Sequence, residues 1–179
     1  MADDRARSGK EARDWQETGP GLARGVCRGL YHFGYACLTE FKLNGRRRAD
    51  VIGMDSGGTL VIVEVKSSVE DFRADRKWSE YRDYCDHFFF AVPEAFPREI
   101  LPADCGLLIA DAYGATLVRE APQLPLSTAR RRIQTLRFAQ TAALRLTRYT
   151  DPDPIVRHGL SETQTQSFGQ GINGGTRLL

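Results

Sequence analysis

The chain has 179 residues, 41% hydrophobic and 27% charged, with a formal net charge of +2. That length holds one domain with a proper core, and the composition is neither disordered nor collagenous. No apolar run approaches the roughly 18 residues that span a bilayer, which excludes a helical membrane anchor, and the net charge is too small to declare a nucleic-acid partner by itself.

Residues 1–18 mix charges with few apolar anchors and read as a flexible arm. They contain no apolar signal-peptide core, so the expected location is the cytoplasm. A helix is predicted from about Pro20 to Phe33, because Leu22, Val26, Leu30 and Phe33 recur on one face. Gly34 is its expected stop. Tyr35 to Leu43 reads as a strand. Arg47 to Met54 and Thr59 to Val65 read as a hairpin around Asp55-Ser56-Gly57-Gly58. A helix is predicted from about Val69 to Tyr84, then a buried strand HFFFAV and a short helix FPREIL. CGLLIAD and ATLVRE read as strands, and a long helix runs from Ser127 to about Tyr149.

The expected fold class is therefore α/β, a central mixed sheet of about five strands flanked by helices over residues 19–151. Residues 157–179 are rich in Gly, Gln, Ser and Thr and read as a disordered tail. Cys27, Cys37, Cys85 and Cys105 form no C-x-x-C pair, so zinc-ribbon spacing is absent, and three of them read as small core residues.

Charge is unevenly spread. From Ala121 to Thr150 there are six arginines and no acid, whereas Glu64 to Asp86 holds seven acids against five bases. Such a chain can hold a polyanion and a cation together.

The hairpin carries the chemistry. Side chains in a strand alternate between faces, so Asp50, Ile52 and Met54 share one face and Leu60, Ile62, Glu64 and Lys66 share another. If Met54 opposes Leu60, then Asp50 opposes Glu64. Two opposed carboxylates repel, and a divalent cation removes that cost. Mg²⁺, or Mn²⁺, accepts one or two carboxylates plus water and phosphate. The plain alternative is a surface ion pair, which contributes only about 0.2–1 kcal/mol.

Asp50 followed by Glu64-x-Lys66 resembles the active-site motif of the PD-(D/E)xK nuclease superfamily, with Ala49 in place of the motif's proline. The runs TEF, GRRRADV, VEVKSSVEDFRADRKWSEY, YCDHFFFAVP and CGLLIAD, between Glu40 and about Ala112, look like the MmcB-type DNA repair proteins of bacteria. The resemblance implies a restriction-endonuclease-like fold and a repair role, with DNA as partner and location at the nucleoid. It implies that Asp50 and Glu64, with the Val65 carbonyl, hold Mg²⁺ or Mn²⁺, and that Lys66 acts on the attacking water and the phosphate.

Superfamily members often carry a further upstream glutamate, and Glu40 takes that part here, on a strand rather than the usual first helix. Some carry Gln-x-x-x-Tyr on the helix after the E-x-K strand. Lys77 and Tyr81 hold that spacing without the glutamine, which leaves a loose role in positioning DNA.

Arg46, Arg47 and Arg48 read either as a solvated turn or as phosphate contacts beside the site. Arg130, Arg137, Arg145 and Arg148 fall within a sector of about 80° on the last helix, opposite Leu136, Ala139, Ala142, Ala143 and Leu146. A solvated face accounts for them, and so does binding to a phosphate backbone. The expected function is metal-dependent phosphodiester hydrolysis on damaged or structured DNA. The alternatives are a non-catalytic DNA-binding or partner-recruiting repair accessory protein and a nuclease of RNA. A homodimer and a repair partner held by the tail are further expected assemblies.

Overall fold

The structure is a computed structural model that describes residues 18–43 and 47–151. The expected tail, Arg46 and all of the expected arm but Thr18 lie outside the described residues. No helix among the described residues is long and apolar enough to cross a membrane.

Helix α1, Gly19–His32, opens on Thr18, whose hydroxyl accepts the Gly21 N–H at 3.4 Å, with Pro20 in the first turn. It closes on Gly34, at φ +85°. Gly34 and Tyr35 donate back to the Tyr31 and Leu30 carbonyls, both at 3.0 Å, a closure that needs the left-handed residue. Leu22, Val26 and Leu30 are buried as their spacing predicts. Phe33 is not: it caps the helix where the chain turns away, and is 59% exposed. At Gly25 helix α1 meets the turn 111–114 so closely that a Cβ would lie 1.7 Å from the Asp111 carbonyl oxygen.

Six strands follow in chain order: β1 Ala36–Lys42, β2 Arg48–Met54, β3 Leu60–Val65, β4 His87–Val92, β5 Gly106–Ala110 and β6 Ala115–Arg119. They form one sheet in the order β1-β2-β3-β4-β5-β6, made of the six strands read along the sequence and in keeping with the expected mixed sheet of about five. The β3–β4 and β4–β5 pairs are parallel and the rest antiparallel. Met54 pairs with Leu60 and Ile52 with Ile62, the register on which the hairpin argument depends.

Every residue of β3 is buried, because both faces of the sheet are covered. On one face Val51, Val61, Val63 and Val65 pack with Leu22, Val26 and Leu30 of α1. On the other, Ile52, Leu60, Ile62, Phe88 and Phe90 pack with Tyr81 and Phe138.

The segment after β3 differs from the single predicted helix. It is a six-residue helix α2, Val69–Ala74, then a 3₁₀ helix, Trp78–Tyr84. Asp75 breaks the run at φ −86°, ψ 86°. Trp78, Tyr81 and Tyr84 are three residues apart, and only a three-residue repeat keeps them on one face. That face meets the core: Trp78 stacks on Phe88 at 5.8 Å and Tyr81 on Phe88 at 6.4 Å. The expected shared face of Lys77 and Tyr81 is thereby lost.

Helix α3, Thr128–Thr150, also differs in its inward face. Leu136, on the side opposite the arginines, is 60% exposed, whereas Gln134 and Phe138 are buried. Phe138 packs against Phe41 at 6.3 Å. A ring buries more apolar surface than the leucine stripe at that contact, and it sets the roll of the helix. Arg131 fixes the same roll, its guanidinium on both oxygens of buried Asp86 at 2.6 and 2.5 Å. Asp86 in turn accepts the Leu60 N–H at 2.8 Å.

The chain divides into two units, one ending at Phe138 and one beginning at Ala139. The described part of the second is the rest of α3 and Asp151, with Thr147 donating to the Ala143 carbonyl at 3.0 Å. The four cysteines are free thiols; Cys85 and Cys105 are buried, and Cys27 and Cys37 half-buried.

Candidate functional site

The β2–β3 ladder ends at Val51 and Val63, one residue before the two acids. There the carboxylates take over the hydrogen bonds. The Asp50 N–H donates to Glu64 Oε1 at 3.2 Å, and the Val65 N–H donates to Asp50 Oδ2 at 2.9 Å. Each acid thus satisfies a backbone donor of the opposite strand. The β1–β2 ladder is also interrupted here: Thr39 pairs with Val51 and Phe41 with Ala49, while Glu40 between them sits at φ +51°. A non-glycine residue in that region carries strain, of order 1–3 kcal/mol.

The interruption opens a cavity of about 670 Å³. Its walls carry the acids Glu40, Asp50, Glu64, Asp71 and Asp75 against the bases Arg48 and Lys66. Gly19, Pro20 and Ala23 of α1 and Tyr81 of the 3₁₀ helix close its sides.

Burial pushes the Glu64 carboxyl up to about 8, and the negative charge of Asp50 adds to the shift. Burial pushes Asp50 up as well; the Val65 N–H and the Lys66 charge offset only part of it. For Lys66, burial pulls the ammonium down, but the hydrogen bond and charge of Asp75 outweigh it, and the net shift is upward. The Lys66 Nζ is 2.8 Å from Asp75 Oδ2 and 3.8 Å from Glu64 Oε2.

The structure brings Asp50, Glu64, Val65, Lys66, Glu40, Arg48 and Tyr81 to one cavity. Arg48 pairs with Glu40 at 2.6 Å, both side chains more than half exposed. Arg47 pairs with Glu80 instead, at 2.6 Å. Tyr81 is buried, and its hydroxyl donates to the Arg48 carbonyl at 3.1 Å, tying the 3₁₀ helix to the start of β2. Burial, then the charges of Glu64, Asp75 and Asp50, push its phenol up and keep it protonated. Lys77 is exposed and does not line the cavity. Arg130 lies 3.5 Å from Asp83, Arg137 is half-buried, and Arg145 and Arg148 belong to the second unit.

The sequence reading missed Asp75. Its carboxylate is the partner of Lys66. A signal was present, since an ammonium carried on a buried strand requires a partner.

Among the described residues, no group of three or more His, Cys, Asp or Glu side chains gathers as a metal-ligand cluster. The donor set at the fork is two carboxylates. That set does not suit a zinc site. It fits a hard divalent cation, which takes one or two carboxylates and fills its other places with water and phosphate. Burial first and the Asp50 charge second raise Glu64, and a bound cation would offset both.

Residues 7–153 match the family described as DNA repair protein MmcB-like. A solved protein of unknown function from Silicibacter pomeroyi is 45% identical, over 80% of this chain and 95% of its own, with a TM-score of 0.73. No curated protein matches the chain.

Proposed function

The chain belongs to the MmcB-like family of DNA repair proteins, and on that premise we propose that it is a metal-dependent DNA phosphodiesterase of the PD-(D/E)xK kind. One observation carries this reading: two mutually repelling carboxylates, Asp50 and Glu64, face a cavity that also holds the Lys66 ammonium.

Asp50 and Glu64, with the Val65 carbonyl, would hold Mg²⁺ or Mn²⁺. When bound, the ion polarises the phosphoryl oxygens and acidifies water. The rest falls to the protein. Lys66 presents a buried positive charge where negative charge develops on the phosphate. Arg48, mostly exposed at the rim, is placed to meet a neighbouring phosphate, and Glu40 and Tyr81 hold it there. The arginines of α3 supply contacts to the DNA backbone that carry no sequence information. A second copy of the chain and a repair protein bound through residues 157–179 stand beside DNA as proposed partners, at the nucleoid.

The test is incubation with labelled single-stranded, duplex, flap and junction DNA in Mg²⁺, Mn²⁺ or EDTA. Cleavage is expected with metal only, and Lys66→Ala and Asp50→Asn should each lower it by about a hundredfold or more. Binding without cleavage on every substrate would make the protein a DNA-binding accessory factor instead.

A further inference from the structure

Lys66 is drawn by two sets of acids. Its side chain is only 5% exposed, so solvent cannot solvate the ammonium. At 2.8 Å the contact with Asp75 is a hydrogen-bonded ion pair, whereas the 3.8 Å to Glu64 lies beyond hydrogen-bond reach. Among the described residues, Glu64 is the other carboxylate within 4.0 Å of Nζ. A buried ammonium that lost Asp75 would have to find another acceptor, and Glu64, with Asp50 behind it, is the nearest.

Asp75 is itself held in place. It ends α2, and its Oδ1 accepts the Lys77 N–H at 3.1 Å, which leaves Oδ2 facing Lys66. Helix α2 is fixed at its other end by the Ser68 hydroxyl, which accepts the Asp71 N–H at 3.2 Å. The short helix thus carries an anchored anion that holds Nζ at 2.8 Å while Glu64 stays at 3.8 Å.

We propose that Asp75 is a positioning residue that holds Lys66 off the Asp50–Glu64 pair and so keeps that pair open to a divalent cation. This rests on reading Asp50 and Glu64 as a metal-holding pair, and does not depend on DNA being cut. The pair has two suitors, the protein's own lysine and a metal ion. A lysine seated on Glu64 would neutralise the pair from within, and a metal would have to displace it. With Asp75 in place the lysine stays within reach of a phosphate without filling the cation's position.

Asp75→Asn is the informative change, because the amide oxygen can keep the bond to Lys77 while the charge facing Lys66 is lost. Mn²⁺ binding to the full chain, followed by the electron paramagnetic resonance signal of free Mn²⁺, needs no cleavage. Asp75→Asn should weaken binding about tenfold or more, and Asp75→Glu should bind as the wild type does. In a Lys66→Met background, where no ammonium remains to be held, Asp75→Asn should change nothing. A metal-free crystal structure of Asp75→Asn should show Nζ within hydrogen-bond distance of Glu64. Undiminished Mn²⁺ binding by Asp75→Asn overturns the proposal. So does equal weakening in the Lys66→Met background, the signature of a merely structural role. Wild-type protein that binds no Mn²⁺ overturns this proposal and the metal site together. Wild-type protein that binds Mn²⁺ but cuts no DNA overturns the nuclease alone.

Discussion

Glu64 carries a measurable liability. Its carboxyl is pushed up to about 8 in the folded chain, from an ordinary value of 4.5. Between those two values the folded state binds more protons than the unfolded one, so stability falls as pH rises. Below 4.5 the cost is absent; above 8 it is complete. Asp50 is shifted in the same direction and adds to the trend. Metal-free protein should therefore melt at a lower temperature at pH 8 than at pH 5, and Glu64→Gln should flatten most of that slope. Saturating Mn²⁺ should remove it as well, since the ion compensates the charge. A melting temperature that stays level or rises from pH 5 to pH 8 without metal would mean that ionising Glu64 carries no such cost. The two acids and Lys66 were legible in the sequence because strand alternation and one turn fix their common face. That Lys66 needs a partner was legible, but not that Asp75 supplies it, because the partnership depends on a helix ending one residue before Asp75, which the spacing of Trp78 and Tyr81 does not announce.

The strands were the most readable elements. HFFFAV coincides with β4, and the Asp55 turn sets the β2–β3 register through its side chain, which accepts the Gly57 and Thr59 N–H groups at 2.9 and 2.8 Å. The roll of α3 was misread, because a leucine count weighs every apolar position alike while one ring at a contact outweighs several small residues. Two substitutions separate the two rolls. Phe138→Ala removes a ring that is 5% exposed and should cost about 3–5 kcal/mol. Leu136→Ala touches a side chain that is 60% exposed and should stay within about 0.5 kcal/mol. Denaturant midpoints measure both, and the reverse order would restore the leucine face as the packed one. Phe138 was available to the reading; what was missing was its partner Phe41, which lies across the fold.

The net charge of +2 conceals a division between an acidic cavity and a run of arginines from 130 to 148. Duplex DNA carries one negative charge per about 1.7 Å of axis. If DNA is the substrate as proposed, an acidic cavity would repel it until a cation is bound, and attraction would have to come from elsewhere. Arg130 is suited to supply it. It donates to the Asp83 carbonyl at 3.3 Å and lies 3.5 Å from the Asp83 carboxylate, with both side chains more than half exposed, so these contacts are weak and readily exchanged for a phosphate. Arg148 is exposed in the last turn of α3. Each arginine that neutralises one phosphate releases about one counterion and adds about 0.9 to the steepness of log K against log salt. Arg130→Ala and Arg148→Ala, tested singly in EDTA on one duplex, should each reduce that steepness by about 1. Mg²⁺ added at constant ionic strength should then tighten binding by the wild type but not by Asp50→Asn, because only the wild type can convert its cavity from repelling to attracting. Slopes that do not move with either arginine would reduce α3 to a solvated basic face and leave DNA attraction to the cavity rim and Arg48.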